Sequence, residues 1–161
     1  KTYNTMRVAT FAGLAVTSLF LMSINSPVEA RRTLCEKKLS MLWNNFIDTF
    51  NDRHWSTLQH EILAEQFTYA SGHGGVPYIQ GSANSTAYFK RLAAENYTMA
   101  ITLDFCSKGT KLLVGGGVLV FTNKDGIKMA FRSMVVFKKY KYNQWKMYRS
   151  IDTKVAELTT G

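Results

Sequence analysis

The stretch LCEKKLSMLWNNFIDTF, residues 34–50, decides the fold of this chain. Its apolar side chains recur at intervals of three and four residues, which places them on one side of an α-helix, and polar side chains occupy the other side. The stretch therefore predicts a long amphipathic helix whose apolar stripe faces a core. That stripe consists of Cys35, Leu39, Leu42, Trp43, Phe46, Ile47 and Phe50.

Two shorter helices are predicted after the long one. Ser56, followed three residues later by Gln59, resembles a capping box and predicts the start of a second helix. Residues 84–95 have helical spacing of apolar side chains and predict a third helix. Between these helices, residues 67–69 predict a short strand and residues 71–77 a glycine-rich loop.

From Tyr97 onward the apolar period changes to two, which is typical of strands. Four strands are predicted, joined by short turns, and they form an antiparallel meander. Gly115, Gly116 and Gly117 lie inside the second of these strands and predict a bend, so we expect a curved sheet. The predicted strands cover residues 97–106, 111–122, 127–140 and 145–151.

Both faces of this sheet need to be covered, because residues 118–121 and 134–137 are apolar at every position. The helices cover one face. For the other face we expect either a second copy of the chain, which would make a homodimer, or shielding by large aromatic and basic side chains.

The N-terminal segment has the pattern of a secretory signal. Arg7 precedes an uncharged, largely apolar run over residues 8–24, and small residues stand before the Ala30–Arg31 bond. We predict cleavage after Ala30, which leaves residues 31–161 as one secreted domain; the alternative is a retained signal anchor. The apolar run is short for a permanent membrane span.

An oxidising compartment changes the interpretation of the two cysteines. In a secreted chain an isolated pair predicts a disulfide, here between Cys35 and Cys106, and the alternative is two separate buried thiols. Asn84 and Asn96 each begin an N-glycosylation sequon, so in a eukaryotic secreted protein we expect them to be exposed and glycosylated.

The chain is basic, with 20 Lys and Arg against 11 Asp and Glu, a net charge of +9. Residues 138–149 interleave cations with aromatic rings, a composition found on surfaces that bind anionic polymers. Because secretion argues against nucleic acid, the expected anions are sulfated glycans or acidic lipid headgroups. The alternative is that these lysines only keep a hairpin edge soluble.

The sequence gives no indication of a metal or a cofactor. The three histidines lack metal-ligand spacing. The glycine-rich segments 72–75 and 115–117 lack the lysine and the serine or threonine of a phosphate-binding loop. We therefore expect neither a metal nor a nucleotide cofactor.

Taken in order, these elements resemble the nuclear transport factor 2-like (NTF2-like) superfamily, also called SnoaL-like. A secreted member with a disulfide is similar to nematode proteins of unassigned role. The resemblance implies an α+β cone in which N-terminal helices pack on a curved antiparallel sheet and leave a pocket at the open end. The residues that carry it are Phe50-Asn51-Asp52 before Trp55, Phe67-Thr68-Tyr69, Gly81 before Tyr88-Phe89 and Leu92, Asp125-Gly126, and Trp145-Lys146-Met147.

The superfamily contains isomerases, dehydratases, cyclases, transport adaptors and binding domains, so the fold leaves the function open. An isomerase of the ketosteroid type often uses a tyrosine from the first helix, and this chain has none between Leu34 and Trp55. A dehydratase-like site could use His73, Asp104 and Tyr69. The alternative is that Asp104 faces solvent and that His73 is a surface residue of the loop without a catalytic role.

The leading hypothesis is therefore a secreted, non-catalytic domain that binds a small apolar ligand or a protein partner. Its pocket would be lined by Trp43, Phe46 and Tyr69. The second hypothesis is a lyase or isomerase in which Asp104 or His73 moves a proton. The third is a surface module that binds anionic glycans or lipids.

Overall fold

A computed structural model describes residues 27–71 and 78–158 of this chain. Most of the predicted signal peptide, residues 1–26, lies outside the described residues, as does His73. The first helix begins at Pro27 and so includes the Ala30–Arg31 bond, and cleavage there stays a prediction. Among the described residues, no helix is both long and apolar enough to cross a membrane.

Three helical segments, a 3₁₀ turn (Lys141–Asn143) and six strands make up the described chain. The helices are α1 (Pro27–Asn51), α2 (Trp55–Thr57), which continues as a π-helical turn (Leu58–Ile62), and α3 (Ser82–Ala94). The strands are β1 (Leu63–Ser71), β2 (Ile79–Gln80), β3 (Thr98–Lys108), β4 (Leu112–Thr122), β5 (Lys128–Lys139) and β6 (Trp145–Leu158).

All six strands form one sheet in the order β2-β1-β6-β5-β4-β3. The last four strands form the predicted antiparallel meander. The sheet is nevertheless mixed, not wholly antiparallel as expected, because β1 runs parallel to β6. A short turn joins each meander strand to its neighbour. By contrast, β1 and β6 are neighbours in the sheet although β2, α3 and β3–β5 separate them in the sequence.

The predicted amphipathic helix is confirmed, and its apolar stripe forms the centre of the core. Leu39, Trp43 and Phe50 on α1 are fully or almost fully buried. Trp43 makes an edge-to-face contact with Phe137 of β5, with ring centroids 6.4 Å apart. Phe50 makes a similar contact with Phe89 of α3, so α1 lies between the sheet and the third helix.

The predicted capping box is wrong. The second helix begins at Trp55, its N-cap is His54, and Ser56 lies inside it. The turn before it is fixed by tertiary hydrogen bonds instead: Asn51 Nδ2 donates to the carbonyl of Met99 at 3.1 Å, and its Oδ1 accepts from the Met99 amide at 2.9 Å. This pairing ties the end of α1 to β3, just before α2 starts.

The glycine-rich part of β4 coincides with the predicted bend. A β-bulge interrupts the β3–β4 register between Leu103 and Phe105, directly opposite Gly116 and Gly117. A Cβ on Gly115 would overlap the side chain of Leu39, so this glycine lets α1 approach the sheet closely.

Two modification predictions fall on described residues. A disulfide joins Cys35 of α1 to Cys106 of β3, with the two Cα atoms 5.9 Å apart. Asn84 is exposed in α3, and Asn96 is exposed just after that helix, in left-handed backbone with φ 59°. Their exposure is compatible with glycosylation, which stays a prediction.

Candidate functional site

A cavity of about 310 Å³ lies between α3 and the inner face of the sheet. We call it the conical pocket. Strand β1 contributes Tyr69 and α3 contributes Tyr88, while β4 and β5 supply an apolar wall. Its lining residues are Tyr69, Ser71, Tyr88, Leu92, Glu95, Tyr97, Phe121, Met129 and Phe131.

A buried carboxyl group lies behind this pocket. Asp152 of β6 is only 2% exposed, and it accepts hydrogen bonds from Ser133 at 2.6 Å and from Ser150 at 3.4 Å. The hydroxyl group of Tyr69 also interacts with it electrostatically. The strand register explains the arrangement, since Ser133 of β5 pairs directly with Asp152, and Ser150 precedes Asp152 by two residues on the same face.

Burial dominates the acid–base properties of this group of residues. It raises the pKa of Asp152, and the nearby hydroxyl groups of Ser133, Tyr69 and Ser150 offset part of that increase. Burial also raises the pKa of Tyr69, and the nearby charge of Asp152 raises it further. The pKa of Tyr88 is raised by burial and lowered in part by the nearby hydroxyl group of Tyr69. Both tyrosines therefore remain neutral hydroxyl groups at neutral pH.

Sequence comparison alone identifies no relative: no family model matches the chain, and no curated protein is significantly similar to it. Solved structures are similar in fold. A conserved protein from Planctomyces limnophilus superposes with a TM-score of 0.66 at 12% identity, over 79% of this chain and 100% of that one. An NTF2-like protein of unknown function from Pseudomonas putida superposes with a TM-score of 0.60 at 13% identity, over 75% of this chain and 87% of that one.

A third similar structure is a ketosteroid isomerase-like protein from Erwinia carotovora, with a TM-score of 0.60 at 13% identity over 73% of this chain and 93% of that one. The chain has the NTF2-like fold. Identities this low show the fold alone, so what the NTF2-like domain does must be argued from its own side chains.

The residues predicted to line the pocket are divided between the pocket and the core. Tyr69 lines the conical pocket as expected. Trp43 and Phe46 do not; they are buried in the core and line only a void of about 10 Å³ that shares Tyr69 and Phe121 with the pocket. They support the pocket from behind.

The structure does not bring Asp104 together with Tyr69. Asp104 lies at the β3 bulge with its side chain 42% exposed, and it pairs with Arg132, whose Nη2 donates to Oδ1 at 2.9 Å. It lines a separate open depression beside α1. Since His73 is outside the described residues, the predicted dehydratase-like set is not assembled in the part of the NTF2-like domain that is described.

Sequence reasoning missed the most unusual residue of the site, Asp152. The last strand was expected to end at residue 151, whereas β6 continues to Leu158. Ser150 and Asp152 alternate with the exposed Ile151 and Thr153, a pattern that indicates a polar inner face. No group of three metal-binding side chains occurs among the described residues.

The raised pKa of Asp152 predicts a specific pH dependence of stability. The folded protein binds a proton at Asp152 more tightly than the unfolded chain does. The associated stabilisation is therefore complete below about pH 4, near the pKa of an unfolded Asp, and is lost as the pH rises through the folded-state pKa.

The variant Asp152→Asn should lack this decline because its side chain is neutral at every pH. Urea unfolding of both proteins between about pH 4 and pH 8 measures the difference. We expect the free energy of unfolding to shift in favour of the variant as the pH rises, by up to about 1.4 kcal/mol per pH unit in that window. Parallel pH curves would show that Asp152 titrates alike in the folded and unfolded states.

Proposed function

We propose that this chain is a secreted binding domain that holds a small, largely apolar molecule in the conical pocket without transforming it. The observation that carries the proposal is the combination of an apolar wall with tyrosine hydroxyls in a cavity of about 310 Å³. Pockets of this kind and size accommodate small organic ligands.

The lining residues indicate the chemistry of the ligand. Phe121, Met129 and Phe131 offer an apolar surface to a ring or a branched chain. The rings of Tyr69 and Tyr88 are in contact, with centroids 5.5 Å apart, and the Tyr69 hydroxyl interacts electrostatically with Asp152. The polar groups are few and fixed in place, so they would orient one hydroxyl or similar group of the ligand.

The secreted location rests on two features. The segment before the domain has the pattern of a cleaved signal. The Cys35–Cys106 disulfide is compatible with an oxidising compartment, because such bridges are rare in reducing ones.

Filling the pocket tests the proposal. We expect naphthol, a fluorescent apolar ring system with one hydroxyl, to bind the native protein. The variant Met129→Trp should weaken that binding by about tenfold or more, since the larger side chain occupies the cavity. Fluorescence titration measures the Kd, and a thermal melt checks that the variant is folded.

Ser40→Trp is the matched control. Ser40 lines the open depression beside α1, so the same bulky side chain is added outside the conical pocket. Naphthol should bind this variant with the native Kd. Equal affinity for the native protein and Met129→Trp would contradict binding in the conical pocket.

A second candidate is proton transfer, as in a lyase or isomerase. Asp152 favours it, because a buried carboxyl group with a raised pKa next to a tyrosine is suited to act as an acid or a base. Turnover by the native protein separates the two candidates: a binding domain releases a pocket ligand unchanged, whereas an enzyme converts it and loses that conversion in the Asp152→Asn variant.

A further inference from the structure

Two hairpins bring five lysines together at one end of the sheet. Lys108 and Lys111 belong to the β3–β4 hairpin, and Lys138, Lys139 and Lys141 to the β5–β6 hairpin. The hairpins are adjacent, since the amide of Lys139 donates to the carbonyl of Lys111 at 2.8 Å. We call these five lysines the basic end.

The sequence around both hairpins lacks acidic residues. No acidic residue occurs in residues 105–124 or in residues 126–151. Within the described part of the chain, no carboxylate forms a salt bridge with any of the five lysines. Lys138 instead lies over aromatic rings, with its Nζ 5.0 Å from the centroid of Tyr148 and 5.7 Å from that of Tyr140.

Exposed apolar side chains accompany these cations. Tyr142, at the tip of the β5–β6 hairpin, is 94% exposed and is held in left-handed backbone with φ 56°. Such a conformation is costly for a bulky residue. Leu112, which pairs with Lys138 at the start of β4, is 45% exposed. Asn143 is left-handed as well, with φ 62°, so both conformations belong to the tight turn of the hairpin, which leaves the Tyr142 ring in solvent.

We propose that the basic end docks on an anionic lipid bilayer, with the lysines over the headgroups and Tyr142 and Leu112 in the interface. Clusters of four to eight cations are attracted to anionic leaflets, and tyrosine rings favour the boundary between headgroups and acyl chains. A soluble sulfated polymer would satisfy the lysines but would offer Leu112 no apolar surroundings. The apolar side chains therefore favour the bilayer.

Vesicle binding tests the charge contribution. The full domain should co-sediment with phosphatidylcholine vesicles that contain about one-third phosphatidylserine, and binding should weaken as salt is raised above about 0.1 M. At about 1 kcal/mol per lysine, Lys139→Ala with Lys141→Ala should weaken binding about 30-fold.

The matched control removes two lysines from the opposite end of the sheet. Lys124→Ala with Lys128→Ala alters the β4–β5 hairpin by the same charge. It should change vesicle binding by less than about threefold, because those lysines would lie beyond the Debye length from the membrane. Equal losses in the two double variants would overturn the assignment to the basic end.

Tyr142→Gly tests the apolar contribution. Glycine accepts the left-handed conformation, so the variant should be at least as stable as the native protein while binding vesicles several-fold more weakly. Unchanged vesicle binding would overturn insertion of the ring. Retention on heparin without any binding to the anionic vesicles would overturn the bilayer in favour of a sulfated polymer.

Discussion

Replacing Cys35 and Cys106 together by alanine should lower the free energy of unfolding by about 4 kcal/mol. The bridge joins residues 71 positions apart and ties α1 to β3, which is the edge strand of the sheet on the side opposite β2. In the chain-entropy model, a disulfide that closes a loop of this length strongly reduces the conformational entropy of the unfolded chain. Urea unfolding, followed by tryptophan fluorescence, measures the loss.

Reduction of the native protein supplies the control for this prediction. Native protein unfolded in the presence of a thiol reductant should have the same urea midpoint as the double alanine variant. A loss below about 1 kcal/mol in the variant would show that the bridge contributes little to stability.

Gly117→Ala should destabilise the domain by about 3 kcal/mol, near the upper end for an overpacked site. A Cβ at this position would overlap the carbonyl oxygen of Thr102 and would lie 2.8 Å from the Cα of Leu103. Both atoms belong to the backbone of β3 at the bulge, so no side-chain rotation relieves the overlap. Strands β3 and β4 would have to separate there.

Gly109→Ala is the matched glycine control for the β3–β4 hairpin. Neither Gly109 nor Gly117 has a positive φ, so alanine can adopt both backbone conformations. A Cβ on Gly109 would meet only the carbonyl oxygen of Leu112 at 3.6 Å, an ordinary contact. Its unfolding free energy should change by less than about 0.5 kcal/mol. A similar loss in both variants would contradict the steric account of the bend.

The local features of this fold were predictable because they depend on neighbours in the chain. The three-four spacing of residues 34–50 specifies α1, and alternation after Tyr97 specifies the strands of the meander. The three consecutive glycines correctly indicated curvature, because only residues without Cβ fit where α1 and the bulge approach β4.

The features that were missed depend on register between distant strands. The pairing of β1 with β6 joins segments about 80 residues apart, and no periodicity reveals a strand's partner. The same register brings Ser133 opposite Asp152 and so creates the buried carboxyl site. The alternation along β3 allowed Asp104 to face a pocket, but Arg132 reaches across β4 from β5 and pairs with it at the surface.

The position of Asp152 has a consequence for either candidate function. Tyr69 lines the conical pocket, whereas Asp152 does not and lies with Tyr69 along a small void behind it. A ligand at the pocket wall would therefore meet tyrosine hydroxyls before it met the carboxyl group. This arrangement favours orientation of a bound molecule over direct attack on it, in agreement with a binding role.

The most direct test of the conical pocket is an isotope-filtered NMR measurement on protein with ¹³C-labelled methionine methyl groups. Met129 lines the conical pocket, whereas Met41 lines the open depression beside α1. With naphthol bound in the conical pocket, we expect nuclear Overhauser effects between the ring protons and the Met129 methyl group and none to Met41. Effects to Met41 without any to Met129 would contradict it.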